Sequence, residues 1–468
     1  MQKTTKYMLT CLLLVAALCT AQILGQNMLL LGVMVLFLLL MGWSCSQNAA
    51  MLALLFFLPW SPLLRTGKDA FSFYTFGMVL VCAISLLKTQ FRFKRYAIVV
   101  GMALLLTTLV TKLMDGSGLS FSYIAFLMMI VLFPVVKEEW TAQRYDYYQL
   151  VCFFAAGVIL AALSAQFFAG YRNIAEYIRV DNYSTITRFC GFYGDPNFYT
   201  AQITAALAGG LVLLLREQQR RRIVVLVVLE LLLIYCGLLS GSKSFVLVFG
   251  VMVVLWISRL LRLKGKTGLK LTLLILAGAV AVYIATSTLF GGLIQVLITR
   301  FGNASNISEF TTGRTELWIT YLEELLTDGK LLLLGQGFTN VKVAGRASHN
   351  TLIQMVYQLG LIGTPILIAW MVSFFRDLPP TQAQDRQLGS TWILLVGCFL
   401  PWLAIDILFF DELFLLQMYA FLGIRYLRTG QAATAAAPLP SVPETVLPND
   451  PDAPWNQIPE DLEFHPPE

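Results

Sequence analysis

The 468-residue chain is 57% hydrophobic and only 13% charged, whereas soluble globular proteins carry about 25% charged residues. This composition excludes an ordinary soluble protein and predicts an integral membrane protein. The net charge of +6 does not indicate nucleic-acid binding, because the basic residues cluster in short loops between apolar segments.

The apolar segments have the length of membrane-spanning helices. Segments of about 17 to 25 residues suit helices that cross roughly 30 Å of hydrocarbon. The first could be mistaken for a signal peptide, but further apolar segments follow at once, so we expect a retained helix. The sequence predicts an all-α polytopic membrane protein with about 12–14 transmembrane helices. The fourteen candidate spans, of which the third and last are short, are residues 7–24, 28–43, 49–64, 71–87, 96–113, 120–136, 148–169, 198–215, 223–239, 244–261, 270–292, 351–375, 391–409 and 412–427.

Loops rich in Lys and Arg indicate the orientation. Residues 88–95, 216–222 and 259–270 are strongly basic. Counting spans from a cytoplasmic N-terminus places all three on the cytoplasmic side, as the positive-inside rule requires. The same count places residues 376–387 inside, and predicts that both termini are cytoplasmic.

The remaining segments divide the chain into a membrane domain, residues 1–428, and a tail, residues 429–468. Two outer loops are predicted, residues 170–197 and 293–350, and the larger one is expected to contain short amphipathic helices. The tail has nine prolines, seven acidic residues and no Lys or Arg, which predicts a disordered, acidic, Pro-rich cytoplasmic segment. Neither a disulfide framework nor a metal-ligand spacing is indicated by the cysteines.

The first outer loop ends in RFCGFYGDPNFYTAQ, residues 188–202. Asp195 followed by Pro196 is typical of a helix start, since aspartate can accept bonds from unpaired N–H groups and proline fits the first helical position. A catalytic role for Asp195 stays open. Arg188 has no such local reason; it is either an interfacial anchor that contacts lipid headgroups or part of a functional site.

Three charged residues lie in or beside the following spans. Lys243, in the tight outer turn SGSKS, either contacts a phosphate or extends to the membrane interface. Glu230 lies in the middle of a span, where a carboxylate is costly and is often functional, although it could also pair with a buried polar group. Asp406 is a similar carboxylate nearer the outer edge of the membrane.

The segment TTGRTELWITYLEELLTDG, residues 311–329, predicts an amphipathic helix on the outer membrane surface. Its apolar face comprises Leu317, Tyr321, Leu322, Leu325 and Leu326. Arg314 falls in the first turn, where a cation opposes the helix dipole. An arginine at a helix N-terminus is nevertheless a good anion site. The alternative is a solvated arginine that pairs with Glu316 or a neighbour.

His349 is one of two histidines, and the other, His465, lies in the tail. The Gly-Gln-Gly of residues 335–337 is predicted to end the preceding helix, and Ser348 or Asn350 to cap the next. His349 then lies at the outer N-terminus of a transmembrane helix, whose positive end disfavours an imidazolium. A neutral imidazole can act as a general base. The alternative is an interfacial histidine bonded to a loop carbonyl.

Several common catalytic motifs are missing from the sequence. Before the acidic tail it has no DxD-type cluster for a metal-bound sugar nucleotide, and it has no glycine-rich phosphate loop and no Ser/His/Asp set. We therefore expect any chemistry to occur outside the cell with neither ATP nor a cofactor, and without a metal. The energy would arrive in the substrate itself.

Three blocks in this order resemble the O-antigen ligase and polymerase superfamily of bacterial surface-glycan enzymes. They are RFCGFYGDPN, TTGRTELW, and GQGF followed by SHNTLIQMVYQLGLIG. The SGSKS turn looks like the Ser-Arg outer turn of that family, with Lys243 where arginine is common. The resemblance covers roughly residues 150–425.

The resemblance implies a glycosyltransferase of the bacterial plasma (inner) membrane. Members of the family transfer glycan from an undecaprenyl-diphosphate carrier to an acceptor hydroxyl at the outer face, without metal and with inversion. It implies that His349 is the base and that Arg188, Arg314 and Lys243 bind the diphosphate or substrate. The candidate supporting residues are Asp195, Asn197, Asn350 and Glu230.

The expected partners are an undecaprenyl-diphosphate-linked glycan donor, a glycan, lipid or cell-wall acceptor, and membrane lipid, with no nucleic acid. Ligase and polymerase activities share this donor chemistry. A flippase or exporter of lipid-linked oligosaccharide is the alternative, and it would have pseudo-symmetric halves and charges along a central cavity. A third hypothesis is a scaffold whose acidic tail binds a cytoplasmic partner.

Overall fold

The computed structural model describes most of the membrane domain. The predicted span at residues 270–292 and the predicted disordered tail both lie outside the described residues, apart from Gly278 and Thr429, so both stay predictions. The described residues are 2–67, 70–116, 118–142, 145–175, 177, 191–262, 278, 302, 311, 313–337, 343, 345–381, 389–408 and 410–429.

The regular elements of these residues are helices, as the apolar segments predicted. Nine are long and apolar enough to cross a membrane, so the chain is an all-α polytopic membrane protein. In chain order the helices are α1 (Gln2–Leu24), α2 (Asn27–Ser46), α3 (Ala50–Phe57), α4 (Phe73–Lys88), α5 (Arg95–Asp115), α6 (Phe121–Ala142), α7 (Tyr147–Phe168), α8 (Arg172–Ala175), α9 (Pro196–Arg216), α10 (Arg220–Leu239), α11 (Lys243–Arg262), α12 (Arg314–Thr327), α13 (Gly329–Leu334), α14 (Thr351–Phe374), α15 (Thr391–Phe399) and α16 (Glu412–Thr429), with 3₁₀ turns at Leu58–Leu63 and Leu400–Ala404.

Helix α9 is buried along its length and forms the centre of the bundle. Its small residues allow neighbouring helices to approach closely, as is common in membranes. A Cβ at Gly209 would overlap the Tyr419 hydroxyl, and one at Gly210 would overlap the Glu230 carboxylate. Peripheral helices such as α5 expose apolar side chains that suit contact with lipid. The N-terminus of the central helix is where the candidate site begins.

Helix α14 is interrupted at Gly360, which has a positive φ of 65° and a non-helical ψ. The interruption allows the carbonyls of Tyr357 and Gln358 to accept bonds from the Gln336 and Gly337 amides, at 2.9 and 3.0 Å. A Cβ on Gly360 would overlap the Leu333 carbonyl. The Gly-Gln-Gly of residues 335–337 therefore ends α13 at Leu334, as predicted, and also fills the break in α14.

The span predicted at residues 391–409 is shorter in the structure. Helix α15 and its 3₁₀ turn end at Ala404, and Ile405 is extended, with φ −141° and ψ 161°. The extended backbone is stabilised from outside, because the Ile405 carbonyl accepts a 2.6 Å bond from the Thr351 hydroxyl. A membrane-spanning helix therefore gives way to a loop that contacts the start of α14.

The amphipathic helix predicted at residues 311–329 is α12, but its apolar face divides in two. Leu317, Tyr321 and Leu325 are buried in a small core with Tyr357 of α14. Leu322 and Leu326 are exposed, which is the arrangement expected of a helix that lies on a membrane surface. One part of the apolar face therefore packs against α14, and the other part is available to contact the membrane surface.

Candidate functional site

His349 lies in a short loop that immediately precedes α14. Asn350 is the N-cap of this helix, and its side-chain oxygen accepts bonds from the Leu352 and Ile353 amides at 3.0 and 3.4 Å. His349 has a positive φ of 49°. Positive φ is uncommon for residues other than glycine, although histidine, Asn and Asp are enriched there. Such a conformation persists only when neighbouring groups hold it in place.

Asp406 holds this loop through one carboxylate. Its Oδ2 accepts the His349 amide at 2.9 Å, and its Oδ1 accepts the Asn350 amide at 3.1 Å. The Ser348 hydroxyl also donates to Oδ1. Hydrogen bonds to a charged acceptor are worth about 1.5–3 kcal/mol each, which is comparable with the cost of an unfavourable backbone conformation. Asp406 therefore positions His349.

Asp195 reaches His349 from the other side. Its Oδ1 caps α9 by accepting the Asn197 amide at 2.7 Å, as the Asp-Pro pair predicted. Its Oδ2 lies 3.5 Å from Nδ1 of His349, which is beyond a normal hydrogen bond, so their interaction is chiefly electrostatic. Capping and contact with the histidine are thus combined in one side chain.

The environment of His349 favours its neutral form. Burial lowers its pKa from the usual 6.5, and the charges of Arg314 and Arg346 lower it further, while Asp195 and Asp406 raise it. The direction agrees with the prediction, but burial is the leading cause, with two arginines in support. A neutral imidazole can accept a proton near pH 7.

A cavity of about 380 Å³ opens beside His349, within the range of small-ligand sites. Five Tyr and Phe side chains line its walls, with polar groups from both carboxylates and from two glutamines. The lining residues are Tyr193, Gly194, Asp195, Phe198, Tyr321, Ala347, Ser348, His349, Gln354, Tyr357, Gln358, Asp406 and Phe410.

Helix α12 holds the loop in front of His349. The Trp318 indole N–H donates to the Ser348 carbonyl, and the Tyr321 hydroxyl donates to the Arg346 carbonyl, both at 2.9 Å. The Tyr357 hydroxyl of α14 donates to Glu324 of α12 at 2.6 Å. The amphipathic helix is therefore fastened both to α14 and to the histidine loop.

Arg314 is the first residue of α12 and approaches the same loop. Its Nη1 donates to the Ala404 carbonyl at 3.2 Å, two residues before Asp406. Arg314 is not among the described residues that line the cavity, but its charge reaches His349. Arg188 lies outside the described residues, so its predicted role stays a prediction.

Arg346 is a cation that the sequence reasoning missed. It is exposed and acts on the pKa of His349. Its Nη1 would lie 3.8 Å from a Cβ at Gly313, the residue before Arg314. The sequence feature that could have identified Arg346 is its position three residues before His349, in GRASHN. Two arginines from separate segments are thus close to the histidine.

The other predicted residues are placed differently. The hydroxyls of Ser242 and Ser244 donate to the Asn197 side chain at 2.8 and 3.3 Å, so the SGSKS turn lies against the start of α9. Lys243 and Glu230 are not among the described residues lining the cavity. Glu230 contacts Gly210, fifteen residues along α9 from Asp195, or roughly 22 Å at 1.5 Å per residue.

Within the described residues, no three His, Cys, Asp or Glu side chains gather as metal ligands would. Metal independence stays a prediction.

Comparison with known proteins gives a partial similarity. No protein-family model matches the chain. Over 197 residues, the chain is 28% identical to the exopolysaccharide production protein ExoQ of Rhizobium meliloti (strain 1021). The match covers 38% of this chain and 44% of that protein, so the chain spans less than half the length of this curated relative.

Proposed function

We propose that the protein is a membrane glycosyltransferase of surface-polysaccharide biosynthesis, which transfers or polymerises glycan from an undecaprenyl-diphosphate-linked donor to an acceptor hydroxyl. The observation that carries the proposal is the setting of His349, which lies between Asp195 and Asp406 beside a cavity, with its pKa lowered by burial and by two arginines. The partial similarity to an exopolysaccharide production protein supports the polysaccharide class. The resemblance of the motifs to surface-glycan ligases and polymerases supports the donor.

The proposed reaction is an inverting displacement at the anomeric carbon. The acceptor oxygen forms the new bond to C1 as the bond from C1 to the diphosphate oxygen breaks. His349 takes the hydroxyl proton, and undecaprenyl diphosphate leaves with the bonding electrons. Because Nδ1 lies 3.5 Å from Asp195, Nε2 is the nitrogen proposed to accept the proton. Asp195 then stabilises the imidazolium that forms.

Negative charge develops on the diphosphate as it leaves, and cations in a partly dry site stabilise such charge. Arg314 and Arg346 are the described candidates for this role, and guanidinium groups bind phosphate oxygens in a fork. Arg188 and Lys243 remain proposed diphosphate or substrate ligands on the strength of the resemblance. The aromatic cavity walls are suited to sugar faces.

The proposed location is the bacterial inner membrane, with the site at its outer face and both termini in the cytoplasm. The site lies at the ends of α9 and α14, where long apolar helices meet solvent. Charged groups that gather at one end of the bundle favour a transferase over an exporter, whose charges should line a central path. The acceptor is proposed to be a glycan, a lipid or the cell wall.

Reconstitution tests the proposal directly. We expect protein in lipid nanodiscs, given a purified undecaprenyl-diphosphate-linked oligosaccharide and a glycan acceptor, to release undecaprenyl diphosphate and lengthen or modify the acceptor. Mass spectrometry measures the released lipid, and NMR of the product measures the anomeric configuration. Donor that crosses a bilayer but is never cleaved would support the exporter and contradict the transferase.

The pH dependence of transfer should report the pKa of His349. Because the base must be neutral, kcat/KM should fall in acid with a midpoint below 6.5. Asp195→Asn keeps a good N-cap but removes a charge that raises this pKa, so the midpoint should move lower. Arg346→Gln removes a charge that lowers it, so the midpoint should move higher. Midpoints that stay fixed, or move together, would contradict the assignment of His349 as the titrating base.

A further inference from the structure

Of the arginines at the end of the bundle opposite the cavity, here called the far end, two approach the start of α15, and no described acid pairs with either. Arg259 lies near the end of α11 and Arg428 near the end of α16. The acidic side chains described at this end pair with other bases. These pairs are Glu138–Lys94, Glu139–Lys88, Asp377–Lys137, Asp146–Arg222 and Glu217–Arg222.

The guanidinium of Arg259 lies against the start of α15. A Cβ on Gly389, which has a φ of +55°, would be 2.9 Å from Nη2 and 3.3 Å from Nη1. Only a residue without a side chain allows this approach. The arginine therefore rests on the backbone that immediately precedes Ser390, the N-cap of α15.

Arg428 reaches the same level from α16. A Cβ at Gly423 would be 2.8 Å from Leu394 of α15, and the two helices run in opposite directions. Five residues onward from Gly423 in α16 is Arg428, and five residues back from Leu394 is Gly389, two residues before α15 begins. Each step is about 7.5 Å at 1.5 Å per residue. Nη1 of Arg428 donates to the Pro379 carbonyl at 3.1 Å, so the arginine is held at this height.

Ser390 supplies an independent observation. Its side chain is 0% exposed and makes no capping hydrogen bond to α15. Within the described part of the chain, its hydroxyl lacks a hydrogen-bond partner, as do the Nε atoms of Arg259 and Arg428. Buried polar groups are nearly always bonded, and an exception needs an explanation. Two such donors, on Ser390 and Arg259, lie at one helix N-terminus, and Arg428 ends at the same level; together they indicate a ligand that accepts hydrogen bonds.

We propose that Arg259, Arg428 and Ser390, with the N-terminus of α15, bind a phosphate group at the far end of the bundle. Helix N-termini favour anions, guanidinium groups pair with phosphate oxygens, and a serine hydroxyl can donate to a third oxygen. The half-buried Arg259 side chain lies against Gly389, the residue before Ser390, and would turn outward around the phosphate. The phosphate belongs either to an anionic phospholipid headgroup, at whose level these helices end, or to free inorganic phosphate.

The site is separate from the proposed transferase chemistry. It lies at the opposite end of α9 from Asp195, a helix of 21 residues, or about 31 Å. By the positive-inside rule this end is cytoplasmic. Its ligand would fasten the start of α15, which continues through Leu400–Ala404 toward Asp406.

Native mass spectrometry of the full-length protein tests the proposal. The probes are phosphatidylglycerol, phosphatidylcholine and inorganic phosphate, and the variants are Arg259→Gln, Ser390→Ala and Arg262→Gln. Arg262 is exposed on the next turn of α11 and is the matched control. In Arg259→Gln we expect the affinity for the phosphate group to fall about tenfold. Native mass spectrometry measures this affinity as retained phosphatidylglycerol, and a thermal-shift titration measures it as stabilisation by inorganic phosphate. The loss in Ser390→Ala should be smaller, and Arg262→Gln should resemble the wild type.

The two ligand sources give different results. Saturable retention of phosphatidylglycerol over phosphatidylcholine supports the lipid, while millimolar phosphate stabilisation without lipid preference supports the free ion. Equal losses in Arg259→Gln and Arg262→Gln would show general surface electrostatics and overturn the site. So would wild-type protein that binds neither probe. Binding is measured without glycan transfer, so failure here is independent of the proposed enzyme.

Discussion

Replacing His349 with alanine is expected to lower the rate of glycan transfer by about 10²–10⁴-fold, the usual contribution of a general base. The acceptor hydroxyl would then attack without losing its proton to the protein. Donor binding should change little, since the arginines proposed to bind the diphosphate remain. The measurement is the release of undecaprenyl diphosphate under single-turnover conditions, with donor retention on the protein measured in parallel.

Two further variants separate chemistry from folding at this position. His349→Asn keeps a residue type that tolerates positive φ but cannot act as a base, so it should be as inactive as the alanine variant. His465→Ala removes the other histidine of the chain and should transfer at the wild-type rate. If His349→Asn retained full transfer in monodisperse, normally melting protein, the proposed base would be wrong.

Arg314→Gln is expected to reduce transfer by about 10²–10³-fold, the range found when one stabilising donor is removed from a developing anion. Charge on the leaving diphosphate grows in the transition state, so kcat should fall together with kcat/KM. Arg314→Lys should recover only part of the loss, because lysine keeps the charge but lacks the planar fork. Steady-state kinetics of the three proteins in nanodiscs measure these effects.

The matched control is Arg172→Gln. Arg172 is an exposed arginine of α8, just after α7, and is not among the described residues that line the cavity. Its loss should change transfer by less than about twofold, since isolated surface charges contribute little. A similar loss in both arginine variants would attribute the effect to general surface charge and would remove Arg314 from the proposed site.

Local patterns in the sequence predicted the starts of the key helices. Asp195 before Pro196 predicted the cap of α9, and Asn350 was one of two predicted caps for α14; both accept the expected backbone bonds. The Gly-Gln-Gly of residues 335–337 predicted the end of α13. These predictions succeeded because a cap or a break is decided by residues within one turn.

Long-range contacts were beyond such patterns. Asp406 was visible as a costly carboxylate near the outer edge of a span, but its partners, 56 to 58 residues earlier in the chain, were not. The span around it was predicted too long, because the bond from Thr351 to Ile405 that stabilises the extended backbone is also distant. Arg346 was overlooked, since only folding brings it beside Gly313 and within electrostatic reach of His349.

The sequence alone determined that this chain is an all-α polytopic membrane protein. Hydrocarbon accepts a backbone only when its polar groups bond within helices or closed sheets. The length of each apolar segment can be read directly from neighbouring residues in the sequence. Only the tertiary structure decided which carboxylates meet His349 and how deeply it is buried. Both depend on how α9, α12, α14 and the segment after α15 pack together. The pKa of His349 follows from that packing, since burial and neighbouring charges, rather than adjacent residues, decide the protonation of an imidazole.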